Sequence, residues 1–143
     1  MRELLVALVL LLPFAGCGFH DMDEGMDPMV AHFAMAEHEL DRHAQAAASA
    51  GSLAAITEEG RRHADAMGEL VARMHGDLDR MSCAHGAWLE TMSGLTGMRD
   101  HLLRHHADID RAPDLETARA ACRQHDEDMR AMMRGTDMAM GRM

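Results

Sequence analysis

Aromatic residues are almost missing from this chain: there is no Tyr, one Trp and three Phe in 143 residues. A β-sandwich or barrel fills its strands with aromatic and β-branched side chains, so a composition this poor in aromatics and rich in Ala, Leu, Met and Glu argues against both. Cations are short as well. Fourteen Lys and Arg face 24 Asp and Glu, for a formal net charge of -10, which excludes nucleic acid as a natural partner and attraction to anionic lipid through surface charge. Familiar catalytic signatures are also missing. The sequence has no Cys-x-x-Cys-His for covalent haem, no His-Glu-x-x-His, no phosphate-binding Gly loop and no nucleophile–base pair, so no enzymatic activity is expected. The Glu-x-x-His pairs of di-iron bundles do not fall on inward-facing positions.

Two residue types are abundant instead, with 16 Met and 11 His. They sit in long segments with helical periodicity. Asp27-Pro28 is a helix start signal, Gly51-Ser52 a stop and restart, Ser82-Cys83 a weaker break, and Ala112-Pro113-Asp114 a final start. These signals predict helices at about 28–50, 53–81, 84–110 and 114–140. Joined by short loops, they make an all-α, up-down antiparallel four-helix bundle. Apolar positions at alternating spacings of four and three support it. The predicted seams are Met29, Phe33, Ala36, Leu40, His43, Ala47 and Ala50 in the first helix, and Leu53, Ile56, Gly60, His63, Met67, Leu70 and Met74 in the second. The third has Trp88, Met92, Leu95, Arg99, Leu102, His106 and Ile109, with Met98 a substitute for Arg99. The fourth has Leu115, Ala118, Cys122, His125, Met129, Met132 and Thr136. Gly94 and Gly97 weaken the third helix by about 1 kcal/mol each relative to Ala, so a kink or split is expected near Ser93–Gly97.

The amino terminus differs from the rest. Met1-Arg2-Glu3 precedes the nine apolar residues Leu4 to Leu12, then Pro13-Phe14-Ala15-Gly16-Cys17. The run is too short for a mature membrane span but suits a secretory h-region. Phe14-Ala15-Gly16-Cys17 resembles the lipobox of bacterial lipoproteins, with Phe14 where Leu is usual. The resemblance covers about the first eighteen residues and implies cleavage after residue 16 and lipidation of Cys17. It also implies an anchor at the periplasmic face of the outer membrane, because Gly18 stands where the inner-membrane retention signal has Asp. The organisation expected is a signal peptide at 1–16, a lipidated Cys and flexible tether at 17–27, and a helical domain at 28–143. The membrane is then a partner through the acyl chains alone.

One His falls on each seam: His43, His63, His106 and His125. Counted from the loops at 1.5 Å per residue, His43, His63 and His106 fall within roughly 5 Å of one level, with Cys122 and His125 about 3–12 Å further along the axis. Imidazoles inside a bundle suit Cu, Zn, Ni and Fe, and thioether and thiolate favour Cu(I). With Met67 and Met129 just beyond, His43, His63, His106, His125, Cys122, Met67 and Met129 are the candidate metal ligands, and copper is the first candidate. The competing reading is a metal-free structural or interaction bundle, its methionines serving as packing and its core histidines satisfied by carboxylates such as Glu39 and Glu59. A third is a pH-responsive protein, since protonating all eleven His reverses the sign of the net charge. His101 and His105, four residues apart with His106 adjacent, form a second chelating set on a helix face. The C-terminal methionines after Gly135 offer a thioether tail if that end frays. Cys83 and Cys122 suggest a disulfide in an oxidising compartment, although loop counting puts them roughly 26 Å apart, far beyond the ~7 Å limit.

Overall fold

The computed structural model describes residues 19–81 and 86–141; Cys17, Cys83 and the apolar leader lie outside them. It contains four helices, α1 (Phe19–Ser49), α2 (Leu53–Arg80), α3 (Gly86–Arg111) and α4 (Leu115–Met140), packed as an all-α bundle. Each helix packs on its neighbour in sequence, and α1 closes the ring against α4. None of the described helices is long and apolar enough to cross a membrane.

Local chemistry explains the boundaries. The Ser52 hydroxyl accepts a hydrogen bond from the Ala55 N–H at 3.2 Å and caps α2. The Asp114 carboxylate does the same for the Thr117 N–H at 2.7 Å and caps α4; this bond holds the Asp114 carboxyl below its usual range. Both satisfy N–H groups that a helix start leaves without partners. A further tie joins α4 to the α1–α2 loop, where Arg119 donates to the Ala50 carbonyl at 2.6 Å.

The seams of α1 and α2 lie inward as the heptads require: Met29, Phe33, Ala36, Leu40, His43, Ala47 and Ala50 are buried, and so are Ile56, Gly60, His63, Met67, Leu70 and Met74. Three details differ from the expectations. First, α1 runs back across residues 19–27, read above as tether, so that Pro28 lies inside the helix. Second, α3 is continuous through Ser93–Gly97. Gly94 is no hinge there; a Cβ added to it would collide with Thr136 on α4, so the glycine is the contact that lets these two helices approach. Third, alternate slots of the α3 seam shift by one residue, while Leu95, Leu102 and Ile109 keep theirs. Thr91, Leu95, Met98, Leu102, His105 and Ile109 are buried, so apolar Met98 replaces Arg99 and His105 replaces His106. At the end of α4, Met133 is buried and Met132 only partly so, and the helix stays intact to Met140.

Two apolar clusters fill the interior. One is small and lies toward the α1–α2 and α3–α4 loops, built on Ala47, Ile56, Ile109, Ala118 and Cys122. The other is larger and rich in methionine, including Met29, Met67, Met74, Met98, Met129 and Met140. Between them lies a layer of imidazoles.

Candidate metal centre

Each helix sends one histidine into this layer. His43 follows Leu40 and precedes Ala47 on α1, and His63 lies between Gly60 and Met67 on α2. His105 lies between Leu102 and Ile109 on α3, and His125 between Cys122 and Met129 on α4. Seven-residue periodicity therefore buries all four, and their residual exposure is between 0% and 4%. Side chains in a helix lean toward its N-terminus. Because α1 and α3 run opposite to α2 and α4, the rings lean toward one another, which is why His125 reaches the same layer although loop counting set it further along the axis.

The rings touch. His43 stacks on His63 with centroids 4.0 Å apart, and His105 on His125 at 3.8 Å. His101, one turn before His105, covers the other face of His125 at 5.0 Å. Thus the i, i+4 pair His101/His105 grips the His125 ring, and only His101 of that pair lies toward the surface, 3.9 Å from Asp128.

Carboxylates hold two of the rings from behind. His43 Nδ1 lies 3.1 Å from Glu59 Oε1, and His63 Nδ1 lies 3.0 Å from Glu39 Oε1. Both helices carry the spacing Glu-x-x-x-His, Glu39/His43 on α1 and Glu59/His63 on α2, and because the helices are antiparallel each Glu serves the other helix's His. Arg42 bridges the two carboxylates, with Nε 2.6 Å from Glu39 Oε2 and Nη1 2.9 Å from Glu59 Oε1. Burial raises the Glu39 carboxyl, but bonds from Arg42 and His63 outweigh it and keep the group below the usual carboxylate range.

This arrangement assigns the protons. An ionised carboxylate only accepts, so His43 and His63 donate from Nδ1 and are left with a bare lone pair on Nε2. The His63 lone pair accepts from His125 Nε2, 3.1 Å away. That leaves His125 Nδ1 bare, buried and without a partner; His43 Nε2 and His105 Nε2 are likewise buried and unpartnered. Burial pushes all of these imidazoles toward the neutral form. His63 falls to about 4, through burial and then repulsion by His43, against the pull of Glu39. Burial and then His43 and His63 take His105 to about 3, and burial lowers His43 and His125 too. Neutral imidazoles with unused lone pairs are Lewis bases ready for a metal.

His43, His105 and Cys122 gather most tightly, their ligand atoms all within 4.8 Å of one another. Cys122 is buried and free. Burial, reinforced by the Glu59 charge, raises its thiol to about 11, so the metal-free protein carries it as S–H at neutral pH. It lies on the floor of a cleft of about 190 Å³ between α1 and α4, walled by Ala44, Ala47 and Ala48 on one side and Arg119 and Arg123 on the other. A buried set of two imidazoles and a thiol, with a carboxylate behind one imidazole, can hold a metal ion.

The expected ligands are therefore partly redistributed. His43, His63, His125 and Cys122 lie where the seams place them. His106 does not join them: it is on the flank of α3 with Nε2 3.6 Å from Asp110, because the inward slot belongs to His105. Met67 and Met129 are buried one turn beyond His63 and His125, as part of the methionine-rich apolar core. Sequence reasoning missed the paired Glu-x-x-x-His spacing, whose signal was legible as the same motif at two inward histidines. Comparison with protein-family models, with curated proteins and with solved structures finds no match.

Proposed function

We propose that this chain binds and holds a soft transition metal, copper first, in the imidazole layer of its bundle. The observation that carries the reading is the convergence of His43, His105 and Cys122, with the Nε2 atoms of both histidines buried and unpartnered and Glu59 fixing the His43 tautomer from behind. Imidazole and thiolate together suit Cu(I) and Zn(II). The abundance of thioether, with Met67 and Met129 one turn away, favours copper. The lipobox-like Phe14-Ala15-Gly16-Cys17 extends the reading to place. Acyl chains on Cys17 hold the protein at the periplasmic face of the outer membrane, and the net charge of -10 keeps nucleic acid from being a partner.

The test is an anaerobic Cu(I) titration of the protein from Cys17 onward against a competing chromophoric chelator, with melting temperature as the second readout. A metal that binds only the folded state raises stability by RT ln(1 + [L]/Kd), about 2.7 kcal/mol at a hundred times Kd. His105→Ala is expected to diminish the shift, whereas His106→Ala and His38→Ala leave it intact. If neither Cu(I) nor Zn(II) shifts the wild-type melt, the metal reading fails and the layer is a carboxylate-satisfied polar core.

A further inference from the structure

The layer holds more donors than one ion can use. Four imidazoles and the thiol crowd a site where a d¹⁰ ion takes about four ligands at most. Imidazole donates in the plane of its ring, so two rings stacked face to face aim their lone pairs along parallel lines and do not converge on one ion. Two rings set edge to face can converge.

The four rings sort by this rule. His43 and His63 are stacked, with planes 16° apart, and so are His105 and His125, at 9°. Across the bundle, His43 meets His105 at 82° with centroids 5.6 Å apart, and His63 meets His125 at 83° with centroids 5.2 Å apart. The two diagonal pairs are longer, at 6.0 and 6.5 Å. The layer therefore has two storeys. In the first, His43 and His105 gather with Cys122, while His63 stays outside that group. In the second, His63 Nε2 and His125 Nε2 lie 3.1 Å apart. Two nitrogens bound to one tetrahedral ion at 2.0–2.1 Å would lie ~3.3 Å apart, so little movement is needed.

We propose that the bundle binds two metal ions per chain, one held by His43, His105 and Cys122 and the other by His63 and His125. Stacking at 4.0 and 3.8 Å keeps the ligand planes of one ion parallel to, and apart from, those of the other. Protons balance at both. The first ion displaces the Cys122 proton to solvent. The second replaces the hydrogen bond between His63 and His125; the proton leaves His125 Nε2 and the ring is reprotonated at Nδ1, the nitrogen that has no partner in the metal-free layer. The carboxylates stay in place, with Glu59 behind a ligand of the first ion and Glu39 behind a ligand of the second.

This inference rests on the metal-binding reading, and the experiment separates their failures. Protein from Cys17 onward is loaded anaerobically with Cu(I), passed over a chelating resin to strip ions bound by surface histidines, and counted by elemental analysis and native mass spectrometry. A parallel sample is loaded with Co(II), whose near-ultraviolet thiolate band reports sulfur ligation. Wild type is expected to retain two ions. His63→Gln is expected to retain one and keep the Co(II) thiolate band. Cys122→Ala is expected to retain one and lose the band. One retained ion in wild type, or two in His63→Gln, overturns the two-storey site and leaves the metal-binding reading standing. No retained ion in wild type overturns both. The wild-type count alone decides the matter should a variant fail to fold, which circular dichroism and Trp88 fluorescence would reveal.

Discussion

Lowering the pH should destabilise the metal-free protein well before its carboxylates are neutralised. The perturbation is protonation of histidines that the bundle keeps neutral. In the unfolded chain an imidazole titrates near 6.5; in the bundle His63 titrates at about 4 and His105 at about 3. The folded values are depressed, so between these limits the unfolded state binds more protons and stability rises with pH. Stability is therefore full above about pH 6.5 and falls as pH drops below it, until the folded-state values are reached. Each such group costs RT ln(1 + 10^(6.5 − pH)), which between pH 7 and 5.5 is about 1.3 kcal/mol, so His63 and His105 together remove about 2–3 kcal/mol. His43, His101 and His125 are also lowered by burial and add in the same direction. Against a usual stability of about 5–15 kcal/mol, that is a large part of the whole. Urea unfolding at half-unit steps from pH 7.5 to 5, in the presence of a chelator, measures it. His105→Leu should flatten the slope below pH 6 by about 1.4 kcal/mol per pH unit, one proton's worth. A stability that stays level from pH 7 to 5.5, or a slope that His105→Leu does not change, would refute the account of a buried neutral cluster.

Other outcomes follow from single contacts. Gly94→Ala should destabilise by about 1–3 kcal/mol, because its Cβ meets Thr136 across the α3–α4 contact, while Gly97→Ala, whose Cβ finds only the Met132 sulfur at 4.0 Å, should stabilise by up to about 1 kcal/mol; paired thermal melts decide. Glu59→Gln should weaken Cu(I) binding about 10–100-fold with the helix content unchanged, since it orients a ligand without being one. Iodoacetamide should label Cys122 slowly at pH 7, a buried thiol near 11, and Cu(I) should slow it further, as peptide mapping would show. Cys17→Ser should move the protein from the membrane fraction to the soluble periplasm; continued sedimentation with membranes would sink the lipobox reading.

Much of the fold was legible because two helices carry unambiguous stripes. In α1 and α2 the apolar residues allow a single register, so His43 and His63 were placed correctly from spacing alone. In α3 the slots at Leu95, Leu102 and Ile109 are shared by two registers that differ in whether the intervening slot lies three or four residues on. One register buries Met98 and His105, the other Arg99 and His106. With His at both 105 and 106, only the apolar Met98 against the charged Arg99 favoured the observed one, and Gly94 read as weakness rather than contact because its partner Thr136 is 42 residues away in sequence. The height of His125 failed for a different reason. Loop counting tracks Cα positions, whereas imidazoles reach several ångströms toward the N-terminus of their own helix and thus in opposite directions on antiparallel neighbours.

Charge balance around the layer bears on which ion it suits. A buried charge needs compensation close by, since little water remains to screen it. The groups bonded to the imidazoles are the carboxylates of Glu39 and Glu59 and the guanidinium of Arg42 that joins them; Arg62, which also reaches Glu59, is about half exposed and is screened by solvent. These leave one net negative charge, and ionising Cys122 adds a second. Two monovalent ions bound by neutral imidazoles and that thiolate bring the total to zero. Two divalent ions would leave two positive charges in an apolar bundle with no further carboxylate bonded to the rings. Cu(I) is thereby favoured over Zn(II) at full occupancy, and Zn(II) should fill one storey only. Equilibrium loading followed by elemental analysis compares them directly: two Cu(I) against one Zn(II) is the expected result, and equal retention of two Zn(II) ions would refute the electrostatic argument while leaving both storeys intact.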